Sequence, residues 1–481
     1  MALASGVRVK PLVDSETLQT DVTTAGLMSN LVALNDIALA NGGNRAFGLP
    51  GYAASVDYLW NRISNISGTH AWKQNFSALF NSVESVELKF NNESVYVVAL
   101  TYSPSTSKQG ITAEVVAGPE GVAGCNEESY SSLNVTGKIV LIQRWRCPTG
   151  GTLAGRLLPA ARAGAAAVII YNDADTHVTG GTLSSPNTQH VPGGFIDLVD
   201  GQRLKEKLRA GDPIYAYFQQ TQIVENRTTQ NVFVETTDGD PENVIVLGAH
   251  LDSVQAGPGI NDDGSGTSLL LELFLATIKY STRNRIRFSW WAAEEEGLLG
   301  SMYYCSHLNS SDGNKILAYL NFDMVSKGYF GVGDGDGSTY GSVAPRGSEV
   351  IERIYIDYFE SKGHSVTPAR ITNGSDYYSF WEVLQKPFGY LNTGTGPAQD
   401  PCYHKACDTI DNPNSETFTT NARAAAHMLA TLSLNGTSLL PKLLANTARL
   451  SSARISESVI GAASVLAAEV AALQGDGSEI Q

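Results

Sequence analysis

The order of apolar and polar residues along the chain predicts helices and strands that alternate. Apolar residues recur at helical spacing from Ser15 to about Ser77, and apolar and polar residues alternate as in strands from Val86 to Thr101. Beyond Gln222 the pattern predicts strands at 231–235, 243–247, 286–292 and 316–322, and helices at 267–280, 300–307 and 349–362. Such alternation is typical of a mostly parallel sheet with helices on both faces. The predicted fold class is therefore α/β, with a mixed, mostly parallel central sheet.

A stretch of different character interrupts this pattern between residues 105 and 222. Glycine and alanine are frequent there, and the pattern predicts a strand, a helix, a strand, a loop and a helix. We therefore predict a discontinuous main domain of residues 1–104 and 223–440, into which residues 105–222 are inserted as a second domain. Residues 441–481 are predicted to form a C-terminal tail, in which apolar residues recur at helical spacing from Ile455 to Leu473.

The overall charge and hydropathy exclude several classes of protein. The 481 residues carry a formal net charge of −15, and no basic stripe offsets it. Nucleic acid and anionic membrane surfaces are therefore not expected partners, because both attract basic proteins. No uninterrupted apolar stretch approaches the roughly 18 residues of a membrane-spanning helix. We expect a soluble protein with a large core.

The cysteines and the glycosylation motifs indicate an oxidising compartment. Cys125 with Cys147, and Cys402 with Cys407, lie at separations that suit local disulfides, and Cys305 is then a buried free thiol. Eight Asn-x-Ser/Thr motifs point the same way, at Asn65, Asn75, Asn92, Asn134, Asn226, Asn309, Asn373 and Asn435. We predict a secreted glycoprotein, with a vacuolar or lysosomal lumen as the alternative. The first residues lack an apolar core, so we expect that a signal or propeptide has been removed.

The densest group of chemically active residues follows one apolar run. Residues 244–247 are apolar and are bounded by proline and glycine, which predicts a buried strand of a parallel sheet. His250 and Asp252 come directly after this run, and Asp262 and Asp263 follow in a glycine-rich loop. Side chains just past the carboxyl end of such a strand lie where open α/β sheets bind ligands. Imidazole and carboxylate together suit zinc, so the stretch predicts a metal site.

Further acids and a second histidine follow later elements. Glu294 and Glu295 come after the predicted strand 286–292, and Asp323 ends the strand 316–322. His404 lies inside the predicted loop between the last two cysteines. Two histidines and at least three carboxylates would then meet at one edge of the sheet, and such an excess of acid is costly unless cations neutralise it. We therefore expect two divalent metal ions.

Five motifs carry a family resemblance. They are GAHLDS, GxNDDGSG, AAEExGLxGS, NFDM and PCYHxxCDT, in this order from Gly248 to Thr409. Because of these motifs, the chain resembles the di-zinc aminopeptidases of bacteria and fungi, and especially the secreted and vacuolar fungal leucine aminopeptidases. The resemblance extends from about Thr17 to Ser433. The run from Gly164 to Asn172 resembles a protease-associated (PA) domain. The resemblance implies a zinc exopeptidase fold with a PA insert.

The same resemblance implies the ligands of two zinc ions per chain. His250 and Asp323 would bind one ion, and Glu295 and His404 would bind the other. Asp262 would bridge the two ions with its two oxygens.

Three further residues receive roles from the resemblance. Glu294 would be the general base that takes the proton from the bridging water. Asp252 would orient the imidazole of His250, and Tyr403 would hydrogen-bond the oxyanion. Asp263, next to a ligand, is expected to cap the helix that opens at Gly264.

The predicted function is that of a metallo-aminopeptidase that prefers leucine or another apolar amino-terminal residue. The expected partners are peptides with a free amino terminus, and we expect the chain to be a monomer. A carboxypeptidase or an aminoacylase-like enzyme is one alternative, but either would need a basic pocket, and only Lys327, Arg370 and Lys405 are near the motifs. A receptor-like module built on an inactive peptidase is the other alternative. Such a module is expected to have lost metal ligands, whereas all five predicted ligands are present in this sequence.

Overall fold

The computed structural model describes residues 10–445, so the helix predicted between Ile455 and Leu473 lies outside the described residues. The α-helices are α1 Ser15–Asp21, α2 Thr24–Ala40, α3 Pro50–Ile63, α4 Ala154–Arg162, α5 Leu198–Ala210, α6 Gly264–Thr277, α7 Leu299–His307, α8 Ser310–Lys315, α9 Ser348–Ser361, α10 Tyr377–Ser379 and α11 Ser415–Leu439. The strands are β1 Thr69–Phe90, β2 Glu93–Ser94, β3 Val98–Ala99, β4 Ile111–Ala117, β5 Ile139–Gln143, β6 Ala167–Tyr171, β7 Gly193–Ile196, β8 Tyr215–Thr236, β9 Asp240–His250, β10 Asn284–Trp291, β11 Ile316–Phe322, β12 Phe330–Gly333, β13 Val366–Ala369 and β14 Phe388–Asn392. Short 3₁₀-helices cover Gly121–Cys125 and Glu127–Tyr130, and a π-helix covers Phe380–Leu384.

The first compact unit comprises, among the described residues, 10–78 and 228–445. Its strands lie in the order β13, β12, β14, β11, β9, β10 and the end of β8. The central strands β14, β11, β9 and β10 pair in parallel, as do β12 and β13. The pairs β10 with β8 and β12 with β14 are antiparallel. The α/β class with a mixed, mostly parallel sheet is therefore confirmed.

Strand β9 is the centre of this unit because both of its faces are covered. Val244 and Val246 belong to an apolar cluster on one face that also contains Trp291. Ile245 and Leu247, which point to the other face because side chains alternate along a strand, are fully buried as well. A strand with two buried faces has apolar residues at consecutive positions, which explains why residues 244–247 do not alternate between apolar and polar.

The second compact unit comprises residues 79–227, and the segment predicted as an insert, 105–222, lies within it. Strands β4, β5, β6 and β7 pair in parallel, and β3 adds to β7 in the antiparallel direction. Strand β7 occupies part of the segment predicted as a loop between β6 and α5. Two consecutive glycines begin this strand. Because glycine has no side chain, these two positions show no apolar pattern that would predict a strand.

The predicted helical character up to Ser77 is wrong beyond Ile63. Strand β1 begins at Thr69 and continues for 22 residues. Its first six residues are all partly exposed or exposed, so their sequence has neither the period of a helix nor the continuous apolar character of a buried strand.

Both predicted disulfides form, between Cys125 and Cys147 and between Cys402 and Cys407. Cys305 is a buried free thiol, as predicted. Within residues 10–445 no single helix has the length and apolar character needed to cross a membrane. In the same range, helices α1 and α2 meet these two criteria only when they are counted together as one bent pair.

Candidate metal centre

Three neighbouring strands bring the predicted site residues to one edge of the sheet. Strand β9 lies between β10 and β11 and is parallel to both, so the three carboxyl ends lie side by side. His250 is the last residue of β9, and Asp323 follows β11 directly. Glu294 and Glu295 lie in the turn after β10. The parallel pairing of these three strands therefore places the four side chains at a single site.

Asp262 lies between the two predicted histidine ligands. Its Oδ1 atom is 3.1 Å from Nε2 of His250, and its Oδ2 atom is 3.1 Å from Nε2 of His404. Asp262 is only 5 % exposed. One buried carboxylate thus presents one oxygen to each imidazole.

The other predicted ligands complete two groups around Asp262. Oε2 of Glu295 is 3.0 Å from Nε2 of His404, and Oδ1 of Asp323 is 3.7 Å from Nε2 of His250. The other carboxylate oxygen of Asp323, Oδ2, is held by the hydroxyl of Ser375, which donates a 2.6 Å hydrogen bond to it. The five predicted ligands therefore lie in one place, with His250 and Asp323 on one side of Asp262 and Glu295 and His404 on the other.

Glu294 lies beside these groups. Its Oε2 atom is 4.0 Å from Nε2 of His250, farther away than the oxygens of Asp262 and Asp323. Burial raises the pKa of Glu294 well above its ordinary value, and the charges of Asp376 and Asp323 add to the rise while His250 opposes it. Glu294 is thus a carboxylate at the site whose proton affinity is high.

Asp252 contacts more of the site than the sequence predicted. Its carboxylate accepts hydrogen bonds from the main-chain N–H groups of Glu294 at 3.1 Å and Glu295 at 3.3 Å. Toward His250, the main-chain oxygen of Asp252 is 3.2 Å from Nδ1, whereas the carboxylate oxygen is 3.7 Å away, which is beyond hydrogen-bonding distance. Asp252 therefore fixes the turn that carries both glutamates as well as adjoining the imidazole.

His404 is held in a short loop closed by the Cys402–Cys407 disulfide. Its backbone has a φ of 56°, in the left-handed region that non-glycine residues rarely adopt. The ring of Tyr403 stacks on that of His404, with centroids 3.9 Å apart. Burial raises the pKa of Tyr403 well above its usual value, and the charges of Asp262 and Glu295 contribute. The phenol is therefore protonated at neutral pH and available as a donor.

The donor set of this site fits zinc. Nitrogen and oxygen atoms of His250, Asp262 and Glu295 lie within 4.8 Å of one another. Oε1 of Glu295 is buried and has no hydrogen-bond partner among the described residues. A buried carboxylate oxygen of this kind is normally paired, and a metal ion supplies such a pairing.

Asp263 is close to the same atoms but its oxygens are used by the main chain. It accepts hydrogen bonds from the N–H groups of His250 at 3.2 Å, Gly266 at 2.7 Å and Met324 at 3.2 Å. The bond to Gly266 makes Asp263 the N-cap of α6, as predicted. Asp263 therefore ties the ends of β9 and β11 to the start of α6.

Several residues of the site were not predicted. Asp408 is buried, and its carboxylate accepts the N–H groups of Asn261 at 2.9 Å and Asp262 at 3.0 Å. Burial raises the pKa of Asp408 to about 6. Asp408 belongs to the motif PCYHxxCDT, so its position carried a signal, whereas Ser375 lies outside the five motifs.

The comparisons with known proteins agree with this geometry. Residues 231–429 match peptidase family M28, and residues 111–204 match the PA domain. The chain is 37 % identical to a probable leucine aminopeptidase 2 of Aspergillus oryzae, over 92 % of this chain and 90 % of the relative. It is 36 % identical to leucine aminopeptidase 2 of Trichophyton rubrum, over 90 % of this chain and 89 % of the relative. The chain belongs to peptidase family M28 and carries a PA domain, and it is accordingly a hydrolase of peptide bonds.

Solved structures of bacterial enzymes share the fold. An aminopeptidase from Aneurinibacillus sp. strain AM-1 superposes with a TM-score of 0.71 at 26 % identity, covering 87 % of this chain and 96 % of that one. A zinc aminopeptidase from Bacillus subtilis superposes with a TM-score of 0.65 at 23 % identity, covering 86 % of this chain and 96 % of that one. The similarity extends over both compact units of the chain.

Proposed function

We propose that this chain is a zinc-dependent aminopeptidase that releases amino-terminal residues, with leucine and other apolar residues preferred. The observation that carries the proposal is the position of Asp262, whose two oxygens each lie 3.1 Å from one imidazole nitrogen. A carboxylate in this position can share its oxygens between two cations, as in binuclear hydrolases. The names of the relatives, leucine aminopeptidase 2 and zinc aminopeptidase, support the same activity.

Two zinc ions per chain fit the groups on either side of Asp262. His250 and Asp323 would hold one ion and Glu295 and His404 the other, with Asp262 shared between them. The buried Oε1 of Glu295 supports this assignment because no donor among residues 10–445 bonds to it. When bound, the metal lowers the pKa of water and polarises the substrate carbonyl.

Glu294 is the proposed proton carrier. It lies beside the ligand groups, 4.0 Å from Nε2 of His250, and its main-chain N–H is fixed by Asp252. It takes a proton from the attacking water and gives it to the amine that leaves. Tyr403, whose phenol is protonated, donates a hydrogen bond to the carbonyl oxygen of the substrate as negative charge develops there.

The charge of the site favours a substrate with a free amino terminus. The carboxylates attract an α-ammonium group, whereas a carboxypeptidase needs a cation for the terminal carboxylate. The three cations considered for that purpose have other partners. Lys327 donates to the Asn412 carbonyl at 2.8 Å, Lys405 donates to the Pro401 carbonyl at 2.9 Å, and the guanidinium of Arg370 lies 6.0 Å from the ring centroid of Tyr340. We therefore propose cleavage at the amino end.

The experiment that tests the proposal uses leucine p-nitroanilide and its N-acetylated form. We expect cleavage of the free amine only, loss of activity with a chelator, and recovery when zinc is added back. Metal analysis of the purified protein should give about two zinc ions per chain. Equal cleavage of the acetylated substrate, or full activity in the metal-free protein, would contradict the proposal.

We further propose that the protein acts outside the cytosol, as a secreted monomer or in a vacuolar lumen. The two disulfides support an oxidising compartment. Seven of the eight asparagines in glycosylation motifs are exposed, and Asn373 is half-buried. Peptide mapping of the secreted protein with and without an endoglycosidase would test glycosylation, and light scattering would test the monomer. The predicted domain limits at residues 105 and 222 would be tested by limited proteolysis.

A further inference from the structure

Arg45 is a buried arginine whose side chain binds main-chain carbonyls. It lies in the connection between α2 and α3 and is 0 % exposed. Its Nε donates to the Pro258 carbonyl at 2.9 Å, its Nη2 donates to the Gly259 carbonyl at 2.6 Å, and its Nη1 donates to the Leu251 carbonyl. All three nitrogens of the guanidinium therefore hold the same loop.

That loop connects two predicted zinc ligands. Residues 251–259 begin next to His250 and end three residues before Asp262. Arg45 contacts both ends, because Leu251 is the first residue of the loop and Gly259 the last. The main-chain N–H of Arg45 also donates to the hydroxyl of Ser253 at 2.9 Å, and that hydroxyl lies 3.1 Å from the Gly257 carbonyl.

A guanidinium is suited to this task for two physical reasons. Its donors lie in one rigid plane, so two carbonyls that bind to it have a fixed separation. A buried cation without hydrogen bonds would be very unfavourable, so the loop cannot move away from Arg45 without a large cost. Burial lowers the pKa of Arg45, while the charges of Asp252, Asp263 and Asp408 oppose that change.

We propose that Arg45 is a positioning residue that fixes the separation of His250 and Asp262 by holding both ends of the loop 251–259. The inference rests on the proposed function, because it takes these two residues as zinc ligands. It extends that function to a residue far away in sequence, which touches neither the metal nor the substrate. Loss of the guanidinium should therefore weaken zinc binding in protein that is still folded.

The chain offers a matched control for a buried arginine. Arg156, in the second unit, is also 0 % exposed and also donates to three carbonyls, those of Gln143 at 2.9 Å, Gly121 at 2.7 Å and Pro119 at 3.2 Å. Its replacement disturbs a buried guanidinium of the same kind, but none of its carbonyl partners belongs to the loop 251–259. Any effect that comes from the loss of a buried arginine alone should therefore appear in both variants.

The test compares Arg45→Lys, Arg45→Met and Arg156→Lys with the wild type. Lysine keeps the charge but cannot bridge two ends of a loop in a fixed plane. Zinc affinity is measured by competition with a chromophoric chelator, circular dichroism gives the folded fraction, and kcat and KM are measured separately. We expect zinc binding about 10- to 100-fold weaker in both Arg45 variants, with a lower kcat. Arg156→Lys should lower the unfolding temperature and leave zinc affinity and kcat at the wild-type level.

The outcomes separate a positioning role from a purely structural one. Arg45→Lys with wild-type zinc affinity and kcat, and only a lower unfolding temperature, would overturn the inference. If the Arg45 variants do not fold, Ser253→Ala removes the hydroxyl that binds the Arg45 N–H, and we expect zinc affinity about 10-fold weaker, at the low end of the range for ligand-supporting groups. Unchanged affinity in that variant would also overturn the inference. If replacement of His250 left zinc binding at the wild-type level, that result would instead refute the proposed function.

Discussion

Main-chain groups fix most side chains of the candidate site. Asp252 binds the N–H groups of Glu294 and Glu295, and Asp408 binds those of Asn261 and Asp262. Carboxylates that accept main-chain N–H groups are rigid, because the backbone cannot rotate away as a side chain can. The candidate site is therefore preorganised by residues outside the proposed ligand set, and such fixed groups suit catalysis by fixed charges.

The first prediction at this scale concerns Glu294. Glu294→Gln keeps the size of the side chain but removes the group that accepts a proton. We expect kcat for leucine p-nitroanilide to fall by about 10²- to 10⁴-fold, with KM and zinc content little changed. Glu296→Gln, two positions along the same turn, is the matched control and should change kcat by less than about 3-fold, a small fraction of the effect of a lost general base.

A second prediction concerns Asp262. Asp262→Asn replaces one of its two carboxylate oxygens by an amide nitrogen, which is not a zinc ligand. We expect zinc content to fall from about two ions per chain to about one or fewer, and activity to be lost, because both ions would share this residue. Metal analysis after gel filtration measures the change. Asp312→Asn, at an aspartate of α8 whose side chain is 46 % exposed, should bind as much zinc as the wild type.

The sequence predicted these residues because each follows a strand end or lies in a compact motif. His250, Glu295 and Asp323 could be placed together from the alternation of strands and helices alone. Arg45 could not be found in this way. It lies more than 200 positions from the loop it binds, and its partners are carbonyl groups, which every residue has.

At the scale of elements, the loop that carries His404 is controlled by its disulfide. Cys402 and Cys407 are 5 positions apart, and His404 lies between them with a φ of 56°. A disulfide across so short a loop restricts the unfolded chain by only about 2 kcal/mol at room temperature. Its main effect is therefore local, on the orientation of His404.

We predict that the double variant Cys402→Ser, Cys407→Ser loses more activity than stability. We expect kcat/KM and zinc affinity to fall about 10-fold or more, because the imidazole is no longer held next to Asp262. The variant Cys125→Ser, Cys147→Ser is the control. Its cysteines are 22 positions apart, so it should lose about 3.5 kcal/mol of stability in the second unit with unchanged zinc affinity. The opposite pattern would show that His404 does not need the disulfide.

The elements themselves were predicted to different degrees. Strands β9 and β11 contain continuous buried apolar runs, and β10 alternates polar and apolar residues before two buried tryptophans. Helix α6 is buried on nearly all sides, and helix α9 has one apolar face. The existence of these elements therefore followed from pattern alone. Strand β1 did not, because its first six residues are partly or fully exposed and its pairing with β8 is made at a large distance in sequence. Pairing over such distances is a property of the whole fold, which local pattern does not encode.

At the scale of the whole molecule, we predict that one buried lysine makes the stability of the first unit depend on pH. Lys386 is 0 % exposed, and its Nζ donates to the Leu443 carbonyl. Burial lowers the pKa of Lys386 to about 8, and the charge of Lys442 contributes. In the unfolded chain a lysine has a pKa of about 10.4. Between these two values the unfolded state binds more protons than the folded state.

The sign of the effect follows from proton linkage. Where the unfolded state binds more protons, stability rises with pH, so the contribution of Lys386 is absent below about pH 8 and complete above about pH 10.4. The rise is at most about 3 kcal/mol, which is the free energy of a pKa difference of about 2.4. We predict that Lys386→Met removes this rise. The measurement is urea unfolding of wild type and variant at several pH values between 7 and 10.5, with a chelator present so that zinc binding does not contribute.

The difference between the two proteins isolates Lys386 from the other groups that titrate in this range, because tyrosines and exposed lysines are the same in both. The variant should gain stability relative to the wild type at pH 7, where the wild type holds a buried charge, and this advantage should shrink steadily toward pH 10.4. Lys279→Met, at a lysine whose side chain is 54 % exposed in the same unit, should show no such trend. A constant difference between wild type and Lys386→Met across the range would mean that Lys386 keeps the proton affinity of an exposed lysine, and that the Leu443 carbonyl alone compensates the burial of its charge.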